Sequence, residues 1–151
     1  MSGPLYDSRT ARHELPMLFA GQAQKETFVN ESLARIDALL HCAIEGVASN
    51  PPASPAEGDC WLIDSGADGA WAGRDGQIAA FAGGNWLYVL PRDGMRLLDR
   101  TSGRDFRYVG GWIAPVRPDT PSGGGVVDGE ARAAIAALTQ CLVDAGIVPA
   151  A

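Results

Sequence analysis

Gln77-Ile78-Ala79-Ala80-Phe81-Ala82-Gly83-Gly84-Asn85-Trp86-Leu87-Tyr88-Val89-Leu90 is the stretch that sets the fold class. Two runs rich in aliphatic and aromatic residues flank Gly83–Asn85, and glycine and asparagine supply the positive φ angles of a tight hairpin turn. The same period-two grammar extends in both directions. Strands are expected over 60–63, 77–81, 86–90, 95–99 and 106–109, with a short extended piece at 112–113. Turn residues cluster at 65–69, 83–85, 92–94 and 101–104, and connections this short force neighbouring strands antiparallel. The expectation is an antiparallel β meander across residues 50–115. A meander of this size makes a thin core and needs a covering layer.

The cover expected from the sequence is a long N-terminal helix. Over residues 22–45, Val29, Leu33, Ile36, Leu40, Ala43 and Val47 recur at steps of four and three. Leu39 and Ile44 widen that stripe beyond a coiled-coil seam, so this helix is expected to pack on the sheet through Val29, Leu33, Ile36 and Leu40. Gly46 reads as its C′ residue, and Pro51, Pro52 and Pro55 form a stiff connector. Residues 1–20, with Pro4 and Pro16, read as an extended arm, residues 21–49 as the helical segment and 116–127 as a Gly/Pro-rich flexible linker. Residues 128–151 carry a second, short helix. Asp128 is its N-cap, Gly146 and Ile147 make a Schellman ending, and Pro149 bars continuation. Ala131, Ile135, Leu138, Leu142 and Ala145 repeat the heptad steps. A helix this short is marginal alone in water, so Ile135, Leu138 and Leu142 are its expected partner-binding face. The fold class is therefore α+β: a long N-terminal helix on a small antiparallel meander, a flexible linker and a short C-terminal helix.

Composition narrows the function. The 151 residues are 46% hydrophobic and 20% charged, with a formal net charge of -6. An acidic chain repels a phosphate backbone unless it concentrates its cations. Arg92, Arg96, Arg100, Arg104 and Arg107 alternate with Asp93, Asp99 and Asp105, which reads as a solvated, self-neutralised surface; nucleic acid is not an expected partner. No run approaches the ~20 apolar residues of a membrane span, and the first residues lack a signal-peptide core. Cytoplasmic synthesis and no membrane insertion are expected. Cys42, Cys60 and Cys141 show neither C-x-x-C nor zinc-ligand spacing and read as buried hydrophobes.

No catalytic constellation emerges. His13-Glu14 and His41-Cys42 are sequence neighbours that do not face each other, and no motif surrounds a Cys42–His13 nucleophile pair. Asp64, Asp68, Gly69 and Asp75 occupy positions one, five, six and twelve of a calcium-loop template. Gly66 at position three and Asp rather than Glu at twelve favour Asx-bonded turns over a metal site. No metal, cofactor or catalytic residue is assigned. Among the aromatics, Trp61 and Phe106 read as core. Trp71, between glycines in a loop, reads as exposed, while Trp86 and Trp112 follow turns and read as hairpin packing before ligand. These three form the possible glycan-stacking set, because indole faces suit the C–H face of a sugar ring. Gln22, Gln24, Lys25, Glu26, Asn30 and Glu31 read equally as a solvated helix start or as a polar interface with the β domain or a neighbouring subunit.

The signature His13-Glu14-Leu15-Pro16, Gly21-Gln22-Ala23-Gln24-Lys25-Glu26 and Asn30-Glu31 resembles a family of alphaproteobacterial prophages and gene transfer agents. The likeness continues through residues 51–59, 69–73, 83–86 and 91–94, and so spans most of 13–115. Arg12 before His13 and Cys60, where the family often carries Arg or Ala, are departures. The resemblance implies a structural, non-enzymatic virion surface protein, closest to the head-spike or fibre components of a gene transfer agent. It implies location on the particle, attachment to the recipient cell, and three kinds of partner: further copies of itself (trimer or pentamer), capsid or other spike proteins, and capsule polysaccharide. Two alternatives remain at this point: a carbohydrate-binding module for that polysaccharide, and a capsule-degrading hydrolase.

Overall fold

A computed structural model describes Arg12, Met17 and residues 25–149, the side chains of Lys25, Glu26 and Phe28 excepted. The rest of the expected arm, His13 included, and most of the polar side chains at the helix start lie outside the described residues. The elements run α1 (Lys25–Leu39), β1 (Ala43–Ile44), β2 (Val47–Ala48), β3 (Cys60–Ile63), β4 (Ile78–Ala82), β5 (Asn85–Val89), β6 (Arg96–Asp99), β7 (Arg104–Tyr108), β8 (Trp112–Ile113) and α2 (Gly129–Asp144). The eight strands form two four-stranded sheets, ordered β2-β3-β4-β5 and β1-β6-β7-β8.

This corrects the expected long helix on a small meander in two respects. First, α1 ends at Leu39, and His41 takes a φ of 51°, a left-handed turn that residues with a side chain rarely adopt. Ala43, Ile44 and Val47, counted above as further helical positions, are extended instead. They form one ribbon that serves both sheets. Cys42 and Ile44 carbonyls accept from Leu98 N (2.9 Å) and Arg100 N (3.0 Å); two residues on, Gly46 and Ala48 carbonyls accept from Leu62 N (3.1 Å) and Asp64 N (2.9 Å). Both β1–β6 and β2–β3 are thus parallel pairs, which no hairpin reading predicts. The bend between them is how a corner strand switches sheets. Gly46 is a position of close approach there rather than a helix C′ residue: an added Cβ would press on Thr101 Oγ1 at 3.3 Å and touch the Trp61 ring at 3.5 Å.

Second, β5 does not pair with β6. Pro91 lacks the N–H that would extend the ladder, and the chain crosses there to the other sheet. The inner faces then close on each other, burying Ile44, Cys60, Leu62, Ile78, Ala80, Leu97 and Phe106 with Ala38 and Cys42 from the end of α1. Each full aliphatic burial contributes roughly 1.5–3 kcal/mol.

The face of α1 that is buried also differs from expectation. Val29, Ile36 and Leu40 are exposed, while Asn30, Ala34, Asp37 and Ala38 are buried. Steps of four and three place these four on one side, and the small alanines let the helix approach β4 closely. Arg12 completes the helix end. Its N–H donates to Asp37 Oδ2 (2.9 Å), and its guanidinium donates to the carbonyls of Ala38 (2.8 Å) and His41 (3.3 Å), groups the helix itself leaves unsatisfied.

At the other end, α2 carries the cap and stop read from the sequence. Asp128 Oδ1 accepts from Ala131 N at 2.9 Å. Gly146, at φ 68°, donates to Val143 O, and Ile147 N donates to Leu142 O, the two bonds of a Schellman motif. The chain then returns to the body, where Gly146 O accepts from Asp105 N (3.1 Å) and Val148 is buried. No residue of α2 itself is buried. No helix among the described residues is long and apolar enough to cross a membrane.

Candidate functional site

Trp71 is placed opposite to its sequence reading. A 3-10 turn over Gly69–Trp71 folds the indole onto the outer face of β3-β4-β5, where its exposure is 0%. With Ile63 and Ala79 it forms a second small core, flanked by Trp61, Trp86 and Tyr88. Trp86 meets it edge-on at 5.1 Å and meets its cross-strand partner Phe81 at 5.0 Å. Tyr88 Oη donates to Ala70 O (2.6 Å), and Arg74 lies 4.2 Å above the Tyr88 ring, so the loop is sewn down around the tryptophan. Trp71 therefore offers no face to a sugar. Trp112 is half-buried, packed on Tyr108, and its Nε1 donates to Gly76 O (2.8 Å). The three members of the stacking set are not brought to one surface: Trp71 and Trp86 belong to the outer core of one sheet, and Trp112 packs against the main core.

The carboxylates of the calcium-loop template are engaged in turns. Asp64 accepts from Ser65 N, Asp68 from Gly69 N, and Asp75 from both Gly66 N and Ala67 N. No group of three or more metal-ligating side chains forms among the described residues. Other signature acids have the same occupation. Glu57 bridges the β4–β5 hairpin, its two oxygens accepting from Gly83 N and Gly84 N, each at 2.8 Å. Both glycines have positive φ, as a primed two-residue turn requires. Asp59 accepts from Ala56 N, and Asp93 from Gly110 N (2.7 Å). The signature motifs at 51–59, 83–86 and 91–94 thus carry loop architecture.

Cys42 and Cys60 are buried as expected, whereas Cys141 is exposed on α2. Burial raises the Cys42 thiol from its ordinary value and, with the neighbouring Cys42 adding to the effect, pushes Cys60 up to about 12, while Arg12 opposes both shifts. These are inert thiols, the reverse of an activated nucleophile.

Among the described residues, two surfaces are left uncovered. One is the apolar stripe of α2, where Ile135, Leu138 and Leu142 are all exposed. The other is a groove of about 310 Å³ on the outer face of β6-β7-β8, lined by Arg96, Arg107, Asp105, Ile113, Pro115 and Ile147. Among the described residues the interleaved Arg and Asp residues form no ion pairs with one another, and Asp105 alone of the three aspartates lies in the groove with Arg96 and Arg107. Strand alternation sends Asp99 inward, where it accepts from Thr101 N (3.0 Å) and Ser102 Oγ (2.5 Å), and Asp93 is spent on Gly110. Arg100 pairs with Glu45. Arg96 and Arg107 stand directly opposite each other. Hairpin arithmetic from the turn at 100–103 contained this register, but sequence order alone suggested pairing with the nearest Asp.

No curated protein and no solved structure matches the chain. A family model matches residues 29–113, from within α1 to the end of β8, more than half of the chain. That segment includes both sheets and the loop that buries Trp71. On this match the chain belongs to the family described as protein of unknown function DUF2793.

Proposed function

We propose that this protein is a non-enzymatic structural component on the surface of a phage-like particle, a head-spike or fibre protein that assembles through α2 and contributes to attachment to the recipient cell. The observation that carries the reading is α2 itself. None of its 16 residues is buried, and Ile135, Leu138 and Leu142 form one exposed apolar side, with Val126 and Val127 exposed just before it. Isolated helices of about this length are marginal in water. Packing against the same helix of further copies supplies the missing burial, and closed rotational symmetry limits the assembly to a defined copy number. The signature over residues 13–115, with its likeness to gene transfer agent head-spike proteins, supports the particle as the setting.

Sedimentation velocity at micromolar concentration tests the assembly step. The parent chain is expected to run as one oligomer, three copies at a fibre base or five at a five-fold vertex, and Leu138→Asp as a monomer with an unchanged far-UV spectrum from the sheets. A monodisperse parent monomer, together with particles lacking the protein that keep normal shape and binding, sinks the proposal.

A further inference from the structure

The groove on the outer face of β6-β7-β8 has a composition that selects a ligand. Tyr108 N donates to Met95 O (2.9 Å), so the next pair along, Arg96 and Arg107, falls at a non-hydrogen-bonded position, where opposed side chains approach most closely. Like charges directly opposite on paired strands repel. Among the described residues neither guanidinium has a hydrogen bond or an ion pair. Two planar donor forks side by side match the two oxygens of a carboxylate. The row continues as apolar surface: Ile113, the cross-strand partner of Arg107, and Ile147 are each nearly half-exposed and line the groove with Pro115. Asp105 closes the lining as an acceptor, one row along from Arg107.

These elements discriminate between anions. A polyphosphate would bring its second charge against Asp105. A hydroxyl-bearing monoanion instead satisfies all three parts: carboxylate on the arginines, hydroxyls on Asp105, ring C–H face on the apolar wall. About 310 Å³ is at the small end of ligand sites and suits one ring. The geometry points to a binding site for a carboxylated sugar, the uronate residue of an acidic glycan, at Arg96 and Arg107. This deepens, and rests on, the attachment half of the function above, and uses none of the assembly surface. It also moves glycan recognition from the tryptophans, which are engaged in packing, to a cationic groove.

The test is titration of the full chain with sodium glucuronate, glucose, sodium sulfate and an acidic peptide, followed by amide NMR shifts. Glucuronate is expected to move residues 96–98, 105–107 and 113, more weakly as salt rises. A uronate oligosaccharide bound by the assembled protein is expected to be tighter through multivalency. Arg96→Gln and Arg107→Gln are each expected to weaken glucuronate about tenfold or more, with no loss of fold, because each removes a charge-assisted bond and also relieves repulsion. Glucose binding as tightly as glucuronate, sulfate or the peptide binding more tightly, or unchanged affinity in both arginine variants overturns the site. Leu138→Asp separates the two ideas: it is expected to bind monomeric glucuronate like the parent. Loss of assembly in the parent with binding intact sinks the particle reading alone, and failure of binding in an assembled protein sinks the groove alone.

Discussion

Replacing Trp71 with alanine is the sharpest probe of the fold around the family's loop. The side chain is completely buried between β3-β4-β5 and the loop that carries it. A tryptophan buries ~150–250 Å², and at ~25 cal/mol per Å² that area is worth about 4–6 kcal/mol. Two effects reduce the figure. The denatured chain already hides part of its surface, and Nε1 of Trp71 is buried with no hydrogen-bond partner among the described residues, a standing cost of ~1–3 kcal/mol. Trp71→Ala is therefore expected to lose about 3–4 kcal/mol, within the range found for large-to-small core changes. Trp71→Phe keeps most of the packed ring and deletes the unpartnered N–H, so its expected change is within ~1 kcal/mol. Urea unfolding monitored by backbone circular dichroism measures both. If alanine costs less than ~1 kcal/mol, or phenylalanine costs as much as alanine, the buried position is wrong and the indole regains a ligand-facing role.

Three further outcomes follow from the structure. Glu57→Ala removes both acceptors from the Gly83–Gly84 turn and is expected to cost ~1–2 kcal/mol, reduced by solvent exposure; faster hydrogen exchange at those two amides checks it, and unchanged exchange contradicts the bridge. Cys141 alone is expected to react with a thiol reagent in the native protein at pH 8, with Cys42 and Cys60 reacting only after unfolding. Because folding raises the Cys60 thiol from 9.0 to about 12, its contribution to stability is complete below pH 9 and declines as pH rises toward 12, by up to ~1.4 kcal/mol per pH unit. Stability that rises over that interval refutes the assignment.

Local chemistry was readable wherever it depends on near neighbours. The six strand segments from 60 to 113 appear within about two residues of their expected places, because alternation and turn glycines are local signals. The Asp128 cap and Gly146 stop are as spelled, for the same reason. Misreadings occur where a segment's meaning depends on distant partners. Residues 43–48 fit a heptad as well as they fit a strand, and only β6 and β3, roughly fifty-five and fifteen positions away, make the extended form the better bonded one. Trp71 between two glycines looks like a loop tip until the indole finds Ile63 and Ala79.

The sequence by itself determined the turns, the strand segments from 60 to 113 and the cap and stop of α2, since each is written in residues a few positions apart. Tertiary structure alone decided how the strands divide into two sheets, which face of α1 is buried, and where each charge points. Those outcomes depend on burial summed over the whole core and on pairings between segments far apart in the chain. Arg96 and Arg107 illustrate the division. Their spacing is visible in the sequence, but that neither is paired among the described residues depends on the fold, which turns Asp99 inward and holds Asp93 on Gly110.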